Sequence, residues 1–159
     1  MKEWPADWDE RRRGKHCAMC ADGRPDDNGF GLRVLKGRYG DAYLQRVDSG
    51  QPGYTIVIWR GRHVAEPTEL SADEAAGYFA EVLRVGRAIE EHYRPLKMNY
   101  DVLGNSLPHL HTHLVPRYPD DGAAGTPSDF MRHAGDFDGK RPEAEVVSEA
   151  AALRKLLAD

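Results

Sequence analysis

Cysteine is scarce in this sequence, long apolar runs are missing and neither charge is in clear surplus; each shortage removes a class of protein. Two cysteines in 159 residues cannot build the disulfide framework of a small secreted domain. No apolar stretch approaches the roughly 20 residues of a membrane-spanning helix, and Met1 to Asp9 lacks the apolar centre of a secretion signal. The expected compartment is therefore the cytoplasm, with no membrane partner. Lys and Arg number 22 against 26 Asp and Glu, a net charge of -4, which argues against nucleic acid as the partner. Only Arg11, Arg12, Arg13 and Lys15 form a local basic cluster. No loop of the GxxxxGK[ST] form is present, so nucleotide binding of the P-loop type is excluded. What remains is a globular chain, 40% apolar and 30% charged, without a repeat period and of a length suited to one domain.

Apolar periodicity gives the elements. Residues 1–16 are polar apart from Trp4 and Trp8 and read as an amino-terminal arm. Leu32 to Leu35, Asp41 to Val47 and Tyr54 to Trp59 read as strands, the last two joined as a hairpin through the turn residues Asp48 to Gly53. Ser71 and Glu74 form a capping box, and apolar positions at Tyr78, Phe79, Val82, Leu83, Val85 and Ile89 continue a helix to about His92, before Pro95. Met98 to Leu103 and His109 to Pro116 read as strands around the turn Gly104 to Pro108. Residues 118–142 read as largely irregular. Pro142 is the expected first residue of a closing helix with Val146, Ala150, Leu153 and Leu157 inward. That order predicts an α+β fold, an antiparallel sheet with helices outside it.

Two patterns carry chemistry. Cys17 and Cys20 form a CxxC pair in what reads as loop, open to three interpretations: half of a metal site, a redox pair, or two reduced thiols without a role. His109, His111 and His113 alternate along a strand, which lines their imidazoles on one face about 6.5–7 Å apart. Leu110, Thr112 and Leu114 then face the core. Neutral imidazole is a nucleophile at neutral pH, and neighbouring rings can donate to phosphate oxygens. A catalytic zinc on the same three histidines is the rival, but it would bend the strand sharply, so a phosphate site fits better. Asn105 and Ser106 add donors at the turn entering the strand.

His109, His111, His113, Leu114 and Val115 reproduce the mark of the histidine triad (HIT) family, which the chain resembles. The resemblance extends through Gly53 to Ile58, Arg62-His63, the long helix, Asn99 to Asn105 and Pro116-Arg117-Tyr118. It divides the chain into an arm (1–16), a HIT domain (17–118) and a carboxy-terminal extension (119–159). It implies a five-stranded antiparallel sheet with one long helix and a carboxy-terminal helix. The implied chemistry is hydrolysis or transfer at the α-phosphate of a nucleotide conjugate. His111 would become nucleotidylated, His113 would contact the phosphate, and Ser106 would protonate or hold the leaving group beside Asn105. The carbonyl of His109 would set the tautomer of His111. Pro116-Arg117 resembles the dinucleoside-polyphosphate branch.

The same resemblance assigns Cys17, Cys20, His63 and His109 to a structural zinc, a closed Cys₂His₂ set. Ribose hydroxyls call for a residue near the end of the Asp41–Val47 strand; Arg46 and Asp48 both qualify, and an acid suits two hydroxyls, which favours Asp48. Tyr54 departs from the family pattern, where many members carry an active-site histidine. Family members pair through the long helix and the strand beside it, so a homodimer is expected. The extension is expected to reach over the leaving-group side. Arg117 would meet a phosphate or a surface acid. A different class of function, a nucleotide-binding regulatory module with little turnover, shares these residues and differs in releasing no mononucleotide.

Overall fold

The computed structural model describes residues 3–128, 131 and 139–158. Five strands, β1 (Gly31–Lys36), β2 (Gly40–Gln45), β3 (Thr55–Trp59), β4 (Lys97–Val102) and β5 (His111–Arg117), form one sheet in the order β1-β2-β3-β5-β4. Every neighbouring pair is antiparallel, as expected from the sequence. Short helices α1 (Trp8–Arg12) and α2 (Ala18–Ala21) precede the sheet. The long helix α3 (Ala72–Tyr93) lies between β3 and β4, and α4 (Glu143–Leu156) closes the chain.

Local chemistry sets these limits. The Ser71 hydroxyl accepts from the Glu74 amide while the Glu74 carboxylate accepts from Ser71, so α3 starts at a complete capping box. It stops at Arg94, which turns into the left-handed region at φ 51° directly before Pro95. One sheet face is covered by α3 and α4: Leu44, Val57, Trp59, Leu110 and Leu114 pack with Tyr78, Val85, Ile89, Val146 and Leu153. Ala150 and Leu157 are buried there as well. Two details differ from expectation. Pro142 is the residue before α4 rather than its first turn, with φ -54° and ψ 127°, because a proline fixes φ but leaves ψ free to point the chain away. CxxC is not plain loop: Cys17 is the N-cap of α2, a four-residue turn of helix. Among residues 118–142, the described part runs mainly through turns, and Lys140 bridges Val47.

Candidate active site and metal centre

The side-chain alternation of β5 sorts its histidines from its core residues. Thr112 points into the core, its hydroxyl 2.9 Å from that of Tyr78, with Leu110 and Leu114 beside it. His111 and His113 point to the face that no long helix covers. There His111 pairs with Ile58 of β3, and His113 lies between Ile56 of β3 and Asp101 of β4. Their rings meet edge to face, 4.8 Å between centroids. His111 Nδ1 lies 2.6 Å from the carbonyl oxygen of His109. A carbonyl only accepts, so the proton sits on Nδ1 and Nε2 keeps its lone pair. The ring retains 7% exposure and is not among the metal donors described below.

Burial makes this row electrically neutral. It lowers the pKa of His111, and pushes His113 down to about 3, with His111 adding to the effect. His113 Nδ1 lies 2.7 Å from the Tyr54 hydroxyl, whose own pKa burial raises. Asp101 is also half-buried, and desolvation raises its carboxyl pKa. Neither Tyr54's contact nor Asp101's position was identified in the sequence. The second was legible, because alternation along β4 places Asn99 and Asp101 on the triad's face. The first joins residues 59 apart and depends on register.

His109 turns the other way, to the end of the sheet. Its Nδ1 lies 3.4 Å from both Cys17 Sγ and Cys20 Sγ, and His63 Nδ1 lies 3.4 Å from Cys20 Sγ. The four donor atoms fall within 4.8 Å of one another. A tetrahedral zinc with bonds of about 2.0–2.3 Å needs donor separations near 3.3–3.8 Å; the three contacts of 3.4 Å lie in that range, and the set as a whole is slightly wider. The outer contacts fit too: Nε2–H of His109 donates to the Trp59 carbonyl at 2.9 Å, and Nε2–H of His63 to that of Arg12 at 3.2 Å. Each ring thereby presents Nδ1 as the free donor atom. Burial and then Cys17 push the Cys20 thiol up to about 11, a shift that a bound cation would reverse.

A buried ion network holds this corner. Asp41, fully buried, accepts two bonds from Arg24 at 2.6 and 2.7 Å and one from Arg60 at 2.8 Å. Arg60 also donates to the Met19 carbonyl and to Asp22, so the loop after CxxC is tied to β2 and β3. The remaining expected site residues are more dispersed. Asn105 and Ser106 are exposed on the turn before β5, where they meet Glu3, Trp4 and Pro5 of the arm around a cavity of about 460 Å³. Asp48 is exposed, its amide bonded to the Gly139 carbonyl, and no described contact joins it to a histidine. Arg46 is committed elsewhere, its guanidinium clamped by Asp27 and Glu143. Arg117 is not a surface pair: buried, it bonds Asp121, Asn99 and the carbonyls of Ala123 and Thr126, bracing the 118–127 loop. Trp59 and Tyr78 belong to the core. His133 lies outside the described residues.

Comparison with known proteins follows the same lines. The HIT domain family model matches residues 42–120. The chain is 29% identical over 107 residues to Protein hit of Bacillus subtilis, covering 64% of this chain and 70% of that one. It is 27% identical over 103 residues to bis(5'-adenosyl)-triphosphatase of Saccharomyces cerevisiae, covering 58% of this chain and 50% of the yeast enzyme; the match thus spans half of that enzyme's length. Among solved structures, a histidine triad protein of Bradyrhizobium japonicum superposes with a TM-score of 0.68 at 24% identity, covering 79% of this chain and 90% of that one. A zinc-bound histidine triad family protein of Mycobacterium smegmatis gives 0.60 at 22% identity, covering 89% and 91%. At those identities the two structures establish the fold.

Proposed function

This chain belongs to the histidine triad family, and from that premise we propose that it is a nucleotide hydrolase or nucleotidyl transferase acting at an α-phosphate through a nucleotidylated His111. The observation that carries this reading is the 2.6 Å contact from His111 Nδ1 to the His109 carbonyl, which leaves a neutral nucleophile with one free lone pair. Nε2 forms a bond to phosphorus as the bridging P–O bond breaks. The leaving oxygen takes the electron pair and is protonated through the Ser106 hydroxyl. The positive charge formed on His111 is stabilised by the His109 carbonyl, and His113 donates to a phosphoryl oxygen. A water oxygen then attacks phosphorus, the P–N bond breaks, its electron pair returns to Nε2 and a proton leaves to solvent. Another hydroxyl in place of water gives transfer.

Cys17, Cys20, His63 and His109 would hold a structural zinc, supported by the donor spacing and by a zinc-bound relative of the same fold. Bound there, the ion would supply a cross-link between the α2 turn, His63 and the residue leading into β5, and no chemistry on substrate. The yeast triphosphatase relative points to a dinucleoside polyphosphate as substrate. Asp48 remains the assignment for the ribose hydroxyls. A homodimer joined through β4 and α3 and a cytoplasmic setting complete the proposal; among the described residues no helix is long and apolar enough to cross a membrane.

Rapid quench with a substrate labelled at the α-phosphate tests the reading. The expected result is a protein-bound label, stable to base and labile to acid, that His111→Ala abolishes together with roughly a thousand-fold or more of kcat. Nucleotide binding without mononucleotide release, unaltered by His111→Ala, would replace it with the regulatory module.

A further inference from the structure

The amino-terminal arm is not a loose tail. Its chain returns to the site at three points. The Arg11 guanidinium reaches the Ser106 carbonyl at 3.5 Å, the Arg12 carbonyl accepts from His63, and Gly14 lies against the His63 ring. At Gly14, φ is +86° and a Cβ would fall 2.8 Å from the ring carbon Cγ, so the close approach requires glycine. Beyond these anchors, Trp4 and Trp8 pair with ring centroids 4.7 Å apart, and Trp4 is still 64% exposed. Trp4, Glu3 and Pro5 face Asn105 and Ser106 across the cavity of about 460 Å³, a volume in the range of small-ligand sites, about 300–1,000 Å³.

We propose that this cavity is a subsite for the departing half of the substrate, in which Trp4 stacks on an aromatic base. The assignment rests on the proposed function, through Ser106 as the leaving-group residue. The charges decide the ligand class. Arg11 is paired with Asp7 and Lys15 with Glu10. Among the described residues the lining contains one acid, Glu3, and no cation. Such a hollow is poorly suited to a phosphate and well suited to a neutral ring. The indole face stacks on any base, Asn105 and Ser106 can donate to ring nitrogens or carbonyls, and Glu3 can accept from an exocyclic amine. A substrate whose leaving group carries a nucleobase is therefore favoured over one that releases only a small amine or phosphate.

The test compares full-length wild type, Trp4→Ala and Trp4→Phe on two substrates, a diadenosine polyphosphate and an adenosine phosphoramidate. The ratio of kcat/KM for the first over the second is expected to fall about ten-fold in Trp4→Ala, by the size of one base–aromatic stack. Trp4→Phe should restore most of it. A second readout needs no turnover. Diadenosine polyphosphate should quench the tryptophan fluorescence of His111→Ala protein, AMP should quench it less, and the difference should vanish when Trp4 is also replaced. An unchanged ratio in Trp4→Ala, or equal quenching by the two ligands, overturns the subsite. Absence of mononucleotide release from either substrate by the wild type instead overturns the proposed function, and the fluorescence pair still decides the subsite.

Discussion

Position 54 is where this chain leaves the common family pattern, and the replacement has a physical reading. A buried tyrosine keeps its proton throughout the physiological range, since burial raises its pKa. The neutral His113 ring beside it can hold one proton. With the Tyr54 hydroxyl donating to Nδ1 across 2.7 Å, that proton sits on Nε2, the nitrogen available to a phosphoryl oxygen. Tyr54→Phe should therefore lower kcat about ten-fold to a hundred-fold with little change in nucleotide Kd. Long-range proton–nitrogen NMR correlations should show His113 protonated on Nε2 in wild type and on a mixture of nitrogens in the variant. Finding Nδ1 protonated in wild type would reverse the direction of the bond and remove this role. The pairing of His111 and His113 on one face was legible from spacing, because a period of two in a strand can only put alternate residues on one face. The Tyr54 contact was not, because the residues on β5 that meet the start of β3 follow from strand register, which no local pattern specifies.

At the scale of elements, the CxxC turn depends on charges well outside it. Asp41 is fully buried, and Arg24 and Arg60 together compensate it. Removing Arg60 leaves Asp41 buried and still held by Arg24, at a cost below the roughly 3–5 kcal/mol of a fully broken buried pair. Arg60→Met should lower the urea midpoint accordingly. It should also speed the loss of metal to a chelator, because Arg60 holds the Met19 carbonyl and Asp22 on either side of Cys20. Retention of metal at the wild-type rate would show that the cysteines position themselves. His63→Asn, read by metal analysis of untagged protein, should reduce bound zinc below one per chain. The sequence displayed the four donors only through likeness to a family. The pair Cys17 and Cys20 alone left three interpretations open, and His63 is 46 and 43 residues further along. The carbonyls of Trp59 and Arg12 that orient the two rings carry no side-chain signal at all. The burial of Arg117 escaped the sequence for the same reason: two of its four partners are carbonyls of a loop that folds back over it.

For the whole molecule, pH acts through groups whose proton affinity changes on folding. Asp121, held by Arg117, and Asp27, held by Arg46, titrate below the usual carboxylate range in the fold. Each contributes stability that is present above the unfolded pKa of about 4 and lost as pH falls through the folded value. His113 acts earlier. Its folded pKa is pushed from 6.5 to about 3, so the unfolded chain takes up its proton first. That contribution is complete above pH 6.5 and declines below it. Facing His113 are His111, Tyr54 and Asp101; none of them supplies a fixed negative charge bonded to the ring that would offset burial. The stability of wild type should therefore drop between pH 6.5 and 5 more steeply than that of His113→Gln, by up to about 1.4 kcal/mol per pH unit. Parallel curves would mean that His113 is solvated. Association is argued from surfaces left uncovered. β4 is an edge strand, which leaves backbone donors and acceptors open to a second strand. Beside it, Leu83 is 49% exposed and Phe79 36%, on the helix that otherwise buries Val82 and Val85. Tyr100 of β4, 39% exposed, packs its hydroxyl against Gly86 of that helix, so strand edge and helix present one apolar surface. Two copies joined along it would extend the sheet across both chains and cover these side chains together. Leu83→Glu places a charge in the middle of that contact. It should convert a dimer to a monomer in light scattering while leaving the far-ultraviolet spectrum unchanged. A wild-type protein that is already monomeric at micromolar concentration would remove the contact and leave the triad to act within a single chain.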